Sequence, residues 1–246
     1  MSPRAEALAP NLWRWTTPHP LWRPGDDKRA GGWERDVGSV LYARDGAVTI
    51  IDPLAGEDDG GLWAFLAERT AGAERVVVAL TASWHLRSAP TVAGRHDAEI
   101  RLHRIAAGDT VMRGVARARP FDADGEVAPG VEALLVGGLR QGEVLYRIAE
   151  HGALVAGEVF YGAADGLRVG EDPSLVSRED LYAWVRALER LEPVLVLPTH
   201  GRPAPDGPGG HPRRARPPAL AVRRLRLRPG PRRRPPRPGP AARGRA

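Results

Sequence analysis

Residues 76–89, VVVALTASWHLRSA, constrain this chain more than any other stretch. Residues 76–80 are an unbroken apolar run of strand length, the pattern of a strand buried on both faces, and it stops at polar Thr81. Beyond it, Ser88 stands where a helix N-cap would stand, with Pro90 in the first turn. Ser83, Trp84, His85 and Arg87 lie in between, at the carboxyl end of the strand, which is where open α/β sheets bind ligands. The loop is either a working site or the remains of one.

The rest of the chain supplies neighbours for that strand. Residues 12–17 (LWRWTT) alternate apolar and polar like a half-buried strand. Residues 18–36 form a long loop rich in Pro, Gly and charge, in which Trp22 and Trp33 either line a pocket or, the better expectation, staple the loop to the core. Residues 37–43 and 47–52 read as two strands joined through Asp45-Gly46, a strong hairpin signal, with Asp52 closing the second. Asp59 is placed to cap a helix whose Leu62, Phe65 and Leu66 share one face. A strand over 98–103 is expected to leave His103 exposed. Turns at Asp124-Gly125 and Pro129-Gly130 precede an apolar run over 131–136. A later hairpin runs from 143–148 through a solvent-facing turn at His151-Gly152 into 153–158, ending on Glu158. Ser177-Arg-Glu-Asp180 is a capping-box variant, and Leu181, Trp184, Val185, Leu188 and Leu191 then trace a helical stripe. Pro193 ends that helix. Residues 194–198 are a last buried strand, followed by Thr199-His200-Gly201.

Charge separates into two populations. Of the 36 Lys and Arg, thirteen Arg fall in residues 207–246, which hold no Asp or Glu; the other 206 residues carry 23 basic and 30 acidic groups, a net of −7. The overall +6 therefore belongs to the tail. Lys28 is the only lysine, a bias that points to GC-rich coding, so the basic balance does not mark nucleic-acid binding beyond non-specific contacts of the tail. With ten Pro, six Gly and thirteen Arg in forty residues, the tail cannot offset its ordering entropy by burial and is expected to be disordered. A shifted reading frame accounts for such a composition better than a tether for acidic surfaces does. No apolar run approaches the ~18 residues of a membrane span, and the N-terminus lacks a signal layout, so cytoplasmic residence is expected. The chain has no cysteine, which excludes disulfides and thiolate metal sites.

Four polar residues share one position in this pattern: Asp52, His85, Glu158 and His200 each end, or lie just beyond, an apolar strand. If the strand ends point the same way, they converge on one edge. Two imidazoles and a carboxylate are competent ligands for zinc or a similar cation.

The order IIDP, strand–LTxxxH–helix, a hairpin ending AGE, and LPTHG resembles the metallo-β-lactamase superfamily, over residues 12–205 or so. That resemblance implies an α+β fold, a four-layer αββα sandwich of two mixed sheets flanked by helices, occupying residues 1–206. It also implies a hydrolase-like protein in which metal-activated water attacks an ester, thioester or related bond of a small-molecule substrate. The family's hallmark is T-H-x-H-x-D-H. Read without a gap from Thr81, its histidines become Ala82, Trp84 and Arg87 and its aspartate Leu86. Shifted by one, they become Ser83, His85 and Ser88, with Arg87 on the aspartate; the shifted register retains one ligand. The family's next histidine falls on Leu139, its bridging aspartate on Glu158 and its last histidine on His200. The resemblance thus leaves His85, Glu158 and His200 as ligands for at most one zinc or other divalent ion, with Asp52, Ser83, Trp84, Arg87 and Ser88 lining the pocket or supporting the ligands. Arg87 opposes a metal: at ~4 Å and an effective dielectric of about 20, a guanidinium and a divalent cation repel by about 8 kcal/mol. The alternative implied by the departures is a non-catalytic small-molecule-binding protein with no metal, in which Arg87 and Glu158 fill the vacated centre as an ion pair.

Overall fold

Alternation along the strands sorts the apolar side chains into three separate cores, and that sorting dictates the layers. The computed structural model of the protein describes residues 5–26, 34–56, 59–139, 142–163, 166–169 and 177–205. A first sheet runs in chain order through β1 (Glu6–Ala9), β2 (Leu12–Pro18), β3 (Asp36–Arg44), β4 (Ala47–Ile51), β5 (Arg75–Ala79), β6 (Glu99–His103) and β7 (Ala118–Phe121). It is antiparallel as far as β4 and parallel from β4 onward. A second sheet is built from β8 (Gly125–Ala128), β9 (Val131–Leu135), β10 (Val144–Ile148), β11 (Ala153–Val155), β14 (Leu195–Leu197) and β15 (Ala204–Pro205), in the order β15-β14-β11-β10-β9-β8. Here only the β11–β14 pair is parallel. A two-stranded ribbon, β12 (Phe160–Ala163) and β13 (Gly166–Val169), joins the segment between β14 and β15 through a bridge from Gly162 to Gly201.

Val40, Tyr42, Ile51, Val77 and Ala79 of the first sheet meet Val144, Tyr146, Ile148, Val155 and Leu197 of the second, forming the central core. The opposite face of the first sheet, with Leu41, Ile50, Val78 and Leu80, is covered by Leu62 and Leu66 of α1 (Gly60–Thr70), by Val92 of α2 (Ala89–Arg95) and by Ala106 of α3 (Arg104–Ala107). The outer face of the second sheet, with Leu145, Leu154 and Val196, is covered by Leu181, Val185 and Leu188 of α4 (Arg178–Leu188). Each buried leucine or valine contributes roughly 1.5–3 kcal/mol relative to exposure, so all three cores are needed. The result is a four-layer αββα sandwich, as the resemblance implied. None of its helices is long and apolar enough to cross a membrane among the described residues.

Local signals hold where they were strongest. The Asp45-Gly46 hairpin forms with both residues at positive φ, as the tight turn between right-twisted strands requires. The Asp59 side chain caps α1 by accepting from the Leu62 amide at 3.0 Å, and Ser177 caps α4 by accepting from the Asp180 amide at 3.1 Å. Three expectations are corrected. His103 is buried, not exposed, because its ring turns back to accept from the Ile105 amide and so caps α3. His151 does not face solvent freely: its ring packs edge-on against Tyr42 with centroids 5.7 Å apart. Ser88 occupies the cap position of α2 but makes no capping bond. Its hydroxyl instead accepts from the Ala55 amide and donates to the Ala55 carbonyl, tying that loop down. Trp33 and the tail 207–246 lie outside the described residues.

Candidate functional site

The four strand-end residues do converge, at the carboxyl ends of the parallel pairs. Asp52 follows β4 with a left-handed φ of 48°, and its amide donates to the Ala79 carbonyl at 3.0 Å. His85 sits in a short 3-10 turn, Ser83–Leu86, beyond β5. Glu158 follows β11, and His200 follows β14, bridging in antiparallel fashion to Val37. Several bonds sew the two sheets together here. The Val144 amide donates to the Thr81 carbonyl at 2.9 Å and the Gly38 amide to the Thr199 carbonyl at 2.7 Å. The Tyr146 hydroxyl donates to the Leu80 carbonyl at 2.8 Å, and Nη2 of buried Arg14 donates to the Gly201 carbonyl at 3.0 Å.

At the centre is a continuous chain of polar contacts. The Thr81 amide and hydroxyl donate to Oδ1 and Oδ2 of Asp52, at 2.9 and 2.5 Å. Nδ1 of His85 lies 2.8 Å from the Thr81 hydroxyl and 3.0 Å from Asp52 Oδ2. Nε2 of the same ring lies 3.1 Å from Glu158 Oε1, and His200 Nε2 lies 3.4 Å from that oxygen. The Thr81 hydroxyl has one hydrogen and gives it to Asp52, so a hydrogen on Nδ1 of His85 completes that side of the ring. Nε2 faces the Glu158 carboxylate, where a ring hydrogen again gives both groups a partner. The geometry thus favours an imidazolium held between two carboxylates.

The titration shifts agree. Burial and the Arg87 charge both oppose protonation of His85, yet the attraction of Asp52 and the bonds to Asp52 and Glu158 outweigh them and raise its pKa. Burial alone would raise the Glu158 carboxyl; bonds from His200 and His85 reverse this and hold it far below the usual carboxylate range. A raised histidine contributes stability that is full below its unfolded value near 6.5 and lost as pH climbs through the folded value. A depressed carboxyl contributes stability that is full above its unfolded value near 4.5 and lost only in strong acid. The stability advantage of the wild type over His85→Gln should therefore shrink as pH rises from 6.5 into the alkaline range. Urea midpoints of the two proteins across that range check this. A constant difference would contradict an imidazolium at this position.

The other expected site residues part company. Trp84 packs its ring edge against His85 with centroids 6.1 Å apart. Ser83 is buried but donates to Asp109 Oδ2 at 2.9 Å, away from the cluster, and Ser88 serves the Ala55 loop. Arg87 adopts a left-handed φ of 31°, a conformation costly for a residue with a Cβ. The direct Arg87–Glu158 pair is not formed: Glu158 is held by two imidazoles, and Arg87 feels Asp52 and Glu158 only through longer-range attraction.

Sequence reasoning also missed partners that matter. Thr81 links Asp52 to His85, and its one signal was the polar break after an apolar run. Gly157 has a φ of 52° and lies against Thr81, where a Cβ would press on the hydroxyl. Tyr161 stacks on His200 with centroids 5.8 Å apart and planes 14° from parallel. His19, on the loop after β2, lies within electrostatic reach of Arg87, His200, His85 and Glu158.

A metal ion fits this arrangement poorly. The spacing of the two imidazole nitrogens from Glu158 Oε1 is near the ~3.3 Å between ligands of a tetrahedral ion with bonds of about 2.0 Å. Yet no group of three or more His, Asp or Glu side chains among the described residues is arranged to hold an ion. His85 could ligate only after giving up the Nε2 hydrogen that its bond to Glu158 uses, and Arg87 stands nearby as a competing cation.

No family model matches the sequence, and no curated protein matches it. Solved structures do. The chain matches the DIM-1 metallo-β-lactamase with a TM-score of 0.59 at 15% identity, covering 83% of this chain and 92% of that one. It matches a metallo-β-lactamase from Erythrobacter litoralis with a TM-score of 0.60 at 15% identity, covering 82% and 86%. FIM-1 from Pseudomonas aeruginosa, in its mono-zinc form, gives 0.60 at 11% identity, covering 83% and 90%. The chain therefore has the metallo-β-lactamase fold.

Proposed function

We propose that this protein is a metal-independent, non-catalytic binder of a small molecule, in which an Asp52–His85–Glu158–His200 chain of polar contacts takes the place of a metal centre. The observation that carries the reading is the double engagement of His85, through Nδ1 toward Thr81 and Asp52 and through Nε2 toward Glu158. An imidazolium cannot donate a lone pair to a metal. The centre is also balanced as it stands: the charges of His85 and Arg87 offset those of Asp52 and Glu158. What remains is a rigid polar edge with one guanidinium whose counter-charges are not in contact with it, suited to holding a ligand rather than to activating water.

A single-metal hydrolase of an ester-type bond is the competing reading, favoured by the near-tetrahedral spacing around Glu158 Oε1 and by the mono-zinc form of one structural neighbour. Bound there, the ion would supply an activated water, with His85, Glu158 and His200 as its ligands. Elemental analysis of protein purified without chelators separates the two. Zinc, iron and manganese are each expected well below one equivalent, with no change in His200→Ala. One equivalent of any of them, lost in His200→Ala, would overturn the binding-protein reading.

A further inference from the structure

We infer that Arg87 is the anchor of a binding site for a small carboxylate-bearing ligand, which enters over the carboxyl ends of β4 and β5 beside His19. The inference rests on the metal-independent reading above. Nε and Nη1 of Arg87 are sealed from solvent without a hydrogen-bond partner among the described residues. The residue as a whole is only half-buried, so Nη2 is the corner left within reach of the outside. Both two-pronged edges of a guanidinium include Nη2, so an acceptor arriving there gains access to a fork.

Buried donors left unsatisfied are costly, and here the cost adds to a strained backbone at the same residue. Asp52 and Glu158 offset the charge from a distance, but neither makes a hydrogen bond or ion pair with the guanidinium among the described residues: the Asp52 oxygens face Thr81 and His85, and Glu158 Oε1 faces His85 and His200. The missing component is therefore an oxygen acceptor from outside. A planar carboxylate matches a planar fork. The Glu158 carboxylate nearby disfavours a doubly charged ligand more than a singly charged one. His19, half-buried on the neighbouring loop, lies close enough to feel the Arg87 charge and so flanks the site.

The test is a titration of the full chain, labelled with 15N at arginine, with sodium acetate. Sodium phosphate runs in parallel and sodium chloride serves as the ionic-strength control. The Arg87 Nε–H signal, identified by its loss in Arg87→Lys, should move saturably with acetate and only drift with chloride. Affinity in Arg87→Met, read in both proteins from the ring-proton shifts of His19, should fall roughly tenfold to a hundredfold. Should Arg87→Met fail to fold, His19→Gln, expected to weaken acetate several-fold, takes its place. Chloride-like drift with acetate would overturn the proposal, and so would unchanged affinity in the variant. Phosphate saturating at lower concentration than acetate would overturn the carboxylate assignment. Metal content of the same sample keeps the two readings apart. A metal-free protein without saturable binding overturns the anion site alone, and a stoichiometric metal with acetate binding that survives Arg87→Met overturns both.

Discussion

Replacing Asp52 with alanine is expected to lower the stability of the protein by about 3–5 kcal/mol, the range seen when one member of a buried charged pair is removed. The carboxylate accepts from the Thr81 amide and hydroxyl and faces Nδ1 of His85, and it is 1% exposed, so water cannot replace it. Its loss leaves the Thr81 amide buried without that acceptor and takes from His85 one of its two counter-charges. Alanine also tolerates the left-handed backbone at this position less well than aspartate does. Urea denaturation of Asp52→Ala, His85→Ala and the double variant measures the effect as a cycle. The two single losses should be coupled by more than about 1 kcal/mol. Additive losses, or a single loss below about 1 kcal/mol, would show that the two side chains do not act together.

The second large effect is expected at a glycine. Gly201 follows His200 with a φ of 81°, and its backbone pairs with Gly162 of β12 so closely that an added Cβ would overlap the Gly162 carbonyl. Both obstacles are backbone, so no rotamer change relieves them. Gly201→Ala should cost about 3 kcal/mol or more, from left-handed strain plus overpacking. The damage should spread to His200, whose carbonyl accepts from the Gly162 amide at 3.1 Å. Urea midpoints give the stability, and the ring signals of His200 should shift with them. A loss comparable to that of Gly72→Ala, where the φ is also positive but the space is open, would argue that the close approach is unimportant.

What the sequence disclosed follows the range of the interactions. The Asp59 and Ser177 caps, the Asp45-Gly46 turn and the apolar stripe of α4 are set by residues within a few positions of one another, and all were legible. The short strands β1, β7, β8, β12 and β13 were not. Four residues give too little alternation to read, and Pro120 and Gly125 signal turns more strongly than strand. For the candidate site, periodicity marked where strands end but not which way side chains turn there. Asp52 and Thr81 meet because β4 and β5 pair in parallel with Ile51 opposite Ala79, a register fixed by the cores and not by either residue. Ser83 and Ser88 lie in the right loop but find nearer partners in Asp109 and Ala55. Arg87 was read as a substitute for the metal paired with Glu158, and the imidazole of His85 reached that carboxylate first.

The bonds that sew the sheets together along the edge carrying Asp52, His85 and His200 have a bearing on how this chain can change over generations. Residues that close a seam are kept for folding even when nothing binds beside them, because losing one exposes unsatisfied groups in two sheets at once. Relatives that have abandoned any chemistry here would therefore still be expected to retain Arg14 and Tyr146, whose side chains make two of those bonds. Arg87, strained and without a direct partner among the described residues, is the position where drift should come first unless a ligand holds it. Among relatives, the persistence of that single arginine would be more informative about use than the persistence of the whole imidazole–carboxylate chain.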